Sequence, residues 1–123
     1  MLVTNNTNFS NRNVQPAFGA IKYDMAKDTL RTVLSLKELR QFKEMVKTYD
    51  TFNNADLILF GDKKKISAKI TDTLELKDCK ITNHSPRIFE GKMHFIKRMA
   101  KKMKERHYEV IDLLAKQNFK FEN

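Results

Sequence analysis

Apolar positions recur along the chain in two rhythms, one near every third or fourth residue and one at every second, and the change between them marks out the elements. Leu39, Phe42, Met45/Val46 and Tyr49 fall on one helical stripe, while Lys37, Arg40, Lys43, Glu44 and Lys47 occupy the rest of the circumference. Ser35 and Glu38 have the spacing of a capping box, so the helix is predicted to start at Leu36. Phe52-Asn53-Asn54 closes it, because asparagine tolerates the left-handed conformation that ends helices. Met25, Thr29/Leu30 and Val33/Leu34 predict a shorter helix before it, with Asp24 as N-cap. The longest periodic run comes last. Met93, Ile96, Met99/Ala100, Met103, His107, Val110 and Leu114 predict about six turns with one continuous apolar side. Ser85-Pro86 offers a serine cap with proline at the first helical position, but Gly91 interrupts, which moves the regular part to Lys92.

Between these helices the rhythm shortens. Ala55–Phe60 is a β-prone run, Gly61-Asp62-Lys63 supplies turn chemistry, and Ile66–Ile70 resumes with alternation, which predicts a hairpin. Leu74-Glu75-Leu76-Lys77 alternates strictly, and Cys79 and Ile81 extend it as a third strand if Lys77-Asp78 bulges. Ala17–Tyr23 reads as a short strand weakened by Gly19. The expected fold is therefore α+β, with a small antiparallel sheet of three to four strands packed against a long C-terminal helix and two shorter helices. Residues 1–15, with Asn5, Asn6, Asn8, Asn11 and Asn13 and few apolar side chains, are expected to form a disordered leader. A single domain over 16–118 and a frayed tail at 119–123 complete the division.

Length and charge limit the function. A chain of 123 residues suits one core, and 24 Lys plus Arg against 15 Asp plus Glu give a net charge of +9, which favours anionic partners. The longest strongly apolar run, Leu57–Phe60, falls far short of a membrane span, and the beginning lacks a basic head and apolar centre. A cytoplasmic location is expected. Cys79 is the only cysteine, which leaves stability to packing rather than to a disulfide.

Charge is concentrated in the last helix. Lys92, Lys97, Arg98, Lys101, Lys102, Lys104 and Arg106 stand against Glu105 alone in that stretch. At helical spacing Lys97, Lys101 and Lys104 share one strip, and Arg98 and Lys102 share a neighbouring one, so these five residues form the candidate polyanion-binding face. The competing reading is that a long amphipathic helix needs a solvated outer face, which lysine provides. Lys63-Lys64-Lys65 at the hairpin turn suits protection of a sheet edge. Tyr108, among the basic residues, offers stacking for an unpaired base.

Other chemistry finds less support. Glu75 and Lys77 on a predicted strand, with Asp56, Asp62 and Asp72 upstream, are similar to the acidic–lysine core of metal-dependent nucleases but lack its Pro-Asp element. His84, His94 and His107 show no metal-ligand spacing, and His107 reads as a hydrogen-bonded core or boundary residue. Three glycines, no two of them close, form no phosphate-cradling loop, so no cofactor is expected. Pro16–Lys22 and Phe95–Lys102 together resemble small proteins of gut bacteria, a likeness over two short stretches that implies no activity. The sequence thus reads as a non-catalytic binding module for a polyanion, with nucleic acid as the candidate. The alternative is an adaptor for an acidic protein, with a metal-dependent nuclease a distant third.

Overall fold

A computed structural model describes residues 20–119. The expected leader, the first three residues of the Ala17–Tyr23 strand and the tail beyond Phe119 lie outside the described residues. The chain forms β1 (Ile21–Lys22), α1 (Lys27–Val33), α2 (Leu36–Thr48), β2 (Ala55–Asp62), β3 (Lys65–Asp72), β4 (Thr82–His84) and α3 (Lys92–Asn118). The fold is α+β, but its sheet is mixed rather than antiparallel. In the order β1-β2-β3-β4, β1 runs parallel to β2, and the other two pairings are antiparallel. The crossover from β1 to β2 carries α1 and α2, which is long enough for a parallel pairing.

Alternation decides what β2 and β3 bury. Leu57 opposes Ile70 and Leu59 opposes Ala68, and all four side chains are buried beneath the helices. On the opposite sheet face Ile58 stands across from Lys69, and Lys22 holds Asp56 at 2.9 Å. Gly61 continues the inner row. A Cβ there would sit 2.5 Å from Thr29 Cβ and 3.2 Å from Ala26 Cα, so glycine lets the start of α1 lie directly on β2. The hairpin turns at Lys63-Lys64 between the paired Asp62 and Lys65, and Lys63 takes a φ of 58°.

The predicted α3 begins at Lys92, with Gly91 as its N-cap. It buries Phe95, Ile96, Met99, Met103 and Val110 completely, each worth about 1.5–3 kcal/mol. The Ser35–Glu38 box is formed: Glu38 N donates to Ser35 Oγ at 3.1 Å and Ser35 N donates to Glu38 Oε1 at 2.9 Å. Local signals at other helix ends give way to tertiary ones. Asp24 caps nothing; it opens a 3-10 turn, Asp24–Ala26, that runs into α1. α2 leaves through a second 3-10 turn, Tyr49–Thr51, and neither Asn53 nor Asn54 is left-handed. Ser85-Pro86 starts no helix.

The expected third strand at Leu74–Ile81 is a turn, and β4 lies further on, at Thr82–His84. The Asp72 carboxylate explains the displacement. It accepts from Leu74 N and Lys80 N, both at 3.0 Å, and from Arg106 Nε at 2.7 Å. One side chain thus gathers both ends of the loop and ties them to α3. Arg106 Nη2 adds a bond to Asp78 O at 3.2 Å. No helix among the described residues is long and apolar enough to cross a membrane.

Candidate polyanion groove

Residues 97, 101, 104 and 108 recur at four, three and four, which at about 100° per residue keeps them on a narrow strip of α3. Gln41 and Met45 on α2 and Tyr49 at its C-cap recur every four residues and form the facing bank. Between them runs a groove of about 560 Å³, lined by both sets and floored by Met93. Lys97, Lys101 and Lys104 form no ion pair among the described residues, and Glu105 is the one carboxylate in the lining.

An aromatic cluster closes one end of the groove. Phe52, just past α2, meets Tyr49, His107 and Tyr108 edge-on, with ring centroids 5.4, 5.3 and 5.9 Å apart. Lys104 Nζ lies 5.2 Å from the Phe52 centroid, a cation–π distance that holds the ammonium at the lip of the groove. His107 is buried and its Nδ1 accepts from Asn54 N at 3.1 Å, as expected of a hydrogen-bonded core histidine. Burial pushes its pKa below the ordinary imidazole value, which preserves the neutral, accepting form. Tyr108 packs on His107 at 5.0 Å and is still 53% exposed, so its ring is oriented without being covered.

The five candidate residues do not all line one groove. Lys97, Lys101 and Lys104 come together in the groove. Lys102 lies on the other flank of α3, in a shallow depression with His84 and Lys80. Burial, and then the charges of Lys102 and Arg98, hold His84 below its usual pKa, and Glu105 and Glu109 line the same depression. Arg98 is already engaged: its Nε and Nη2 each donate to Glu90 at 2.8 Å. Glu90, with a side chain 3% exposed, also accepts from His94 Nδ1 at 2.6 Å and from Arg87 N at 3.0 Å. The Arg98 hydrogen bonds above all hold this carboxyl far below the usual range. The clamp braces the segment before α3, where Ile88 is largely and Phe89 fully exposed and Phe89 takes a φ of 64°.

The nuclease-like residues are scattered. Glu75 and Lys77 are exposed and lie around a turn, so they share no strand face. Asp72 is held by Arg106, and Asp56 by Lys22. Among the described residues no group of three or more His, Cys, Asp or Glu is placed to hold a metal ion. Cys79 is half-buried, with Sγ 3.6 Å from Thr71 Oγ1. Lys65 and Lys92 line a separate cleft near the hairpin, away from the groove.

Sequence reasoning found the lysine strip and Tyr108 but missed the α2 bank. Met45 and Tyr49 fall on the apolar stripe that predicts a core role, with the Tyr49 hydroxyl at its rim, and their place at the edge of that stripe is the only local signal for a second role. Comparison with protein-family models, curated proteins and solved structures finds no match to this chain.

Proposed function

We propose that the protein is a non-catalytic binding module that takes a single-stranded nucleic acid along the α2–α3 groove. The observation that carries this reading is the bank of Lys97, Lys101 and Lys104, three cations without carboxylate partners among the described residues, beside Tyr49 and Tyr108. Ammonium groups repeated along a helix suit phosphates repeated along a strand, and the gain comes largely from released counterions, with little sequence preference. An oriented, half-exposed tyrosine favours unpaired over paired strands, since a stacked base contributes about 1–3 kcal/mol. Arg98 takes no part, because Glu90 holds it.

A fluorescence-anisotropy titration of a labelled single-stranded oligonucleotide tests the proposal. Binding at low salt is expected, with Lys97→Gln/Lys101→Gln weakening it about tenfold and Tyr108→Ala at least fivefold, on the order of one lost stack. Unchanged affinity in the double variant, or equal competition by polyglutamate of matched charge, would overturn it.

A further inference from the structure

α2 borders a second groove on its opposite flank. Leu36, Leu39 and Lys43 lie on the far side of the helix from Gln41, Met45 and Tyr49, at about 100° per residue, and with α1 they enclose about 540 Å³. The floor is apolar: Leu30 and Phe42 are buried, and Tyr23 meets Phe42 edge-on at 5.2 Å. Leu39 and Leu36 carry this surface outward, and Leu36 is 65% exposed at the first position of a fully capped helix, where it packs on little.

The rim is entirely basic. Lys27 and Arg31 stand on the α1 side, Arg40 and Lys43 on the α2 side, and no carboxylate lines the groove. Lys27 and Arg31 reach Asp24 and Asp28 at 3.7 and 3.5 Å, but those carboxylates are 88% and 99% exposed, so the pairs are readily exchanged. Arg40 and Lys43 make no ion pair among the described residues.

A bare polyanion would satisfy the rim and leave the leucines wet, whereas a neutral apolar ligand would leave the cations without partners. An amphipathic helix with an apolar stripe and acidic flanks satisfies both. The flank from Leu36 to Lys43 is about 10 Å long, which matches two turns of such a helix. We propose that the α1–α2 groove docks a partner protein through an acidic amphipathic helix, independently of the nucleic-acid groove on the other side of α2.

The test uses the full chain and a labelled synthetic peptide of about four turns, with leucine at helical spacing and glutamate elsewhere. Its controls are a scrambled peptide of the same composition and a version with lysine in place of glutamate. Saturable binding of the first peptide, about tenfold weaker for both controls and five- to tenfold weaker for Leu36→Ser, is expected, a change of roughly 1 kcal/mol for an exposed leucine side chain. Leu36→Ser should leave oligonucleotide affinity within about twofold, which separates failure here from failure of the other groove. Equal binding of the scrambled peptide, indifference to Leu36→Ser, or competition between peptide and oligonucleotide would overturn the assignment. So would self-association of the protein that Leu36→Ser abolishes, since the groove would then belong to a second copy.

Discussion

Replacing Arg106 with leucine tests whether one ion pair organises the β3–β4 loop. The Asp72 side chain is 0% exposed and that of Arg106 10%, with Nε 2.7 Å from Oδ2. Leucine preserves much of the apolar stem but strands the carboxylate with only the Leu74 and Lys80 amides, and it frees the Asp78 carbonyl. The contact to Glu109 counts for little, because that carboxylate is 57% exposed. Removing one partner from a buried pair costs about 3–5 kcal/mol, a large share of the roughly 5–15 kcal/mol that holds a domain of this size together. Urea denaturation followed by circular dichroism should therefore show a much lower midpoint for Arg106→Leu. Asp72→Leu/Arg106→Leu should recover part of the loss, because no charge is then left buried alone. The pH dependence has a defined sign. Burial alone would raise the Asp72 pKa, but the Lys80 amide, Arg106 and the Leu74 amide outweigh it and the net shift is downward. The pair's stability is thus complete above the unfolded aspartate pKa of about 3.9 and is lost as pH falls through the lower folded value. A loss below about 1 kcal/mol in Arg106→Leu, the range of surface pairs, would refute the reasoning.

Gly61→Ala places a methyl group against Thr29 and the Ala26 backbone, so a loss of about 1–3 kcal/mol is expected in the same denaturation assay. Phe89→Gly should raise stability by up to about 1–2 kcal/mol, since the fully exposed ring surrenders no packing and glycine accepts a φ of 64° without strain. Because burial lowers the His107 pKa, its contribution is complete above the unfolded imidazole value, near 6.5, and declines as pH falls toward the folded one. His107→Gln should flatten stability measured between about pH 7 and 5, and an unchanged profile would remove the buried-neutral assignment.

Features written in adjacent residues were legible. The Ser35–Glu38 box fixes the start of α2 within four residues, and the stripe from Met93 to Val110 marks α3 because its register with the sheet needs no other information. Alternation at Leu74–Lys77 misled because Asp72 draws the backbone amides of Leu74 and Lys80 inward, and the arginine that stabilises this arrangement lies 34 residues away. Arg98 looked like its neighbours on the helix circumference. Glu90, eight residues earlier and before the helix begins, falls outside the three- and four-residue rule that identifies helical ion pairs. The parallel β1–β2 pairing and the α2 bank of the groove are likewise contacts between distant segments, invisible to any local periodicity.

The salt dependence of oligonucleotide affinity tests the central claim most directly. Three lysine–phosphate contacts contribute about −2 to the slope of log K against log salt, which weakens binding about twentyfold between 50 and 200 mM. Measured side by side, Lys97→Gln/Lys101→Gln/Lys104→Gln should lie about 2 units closer to zero in slope than the wild type. The same slope in both proteins would contradict the account, for the phosphates would then be held somewhere other than the α2–α3 groove.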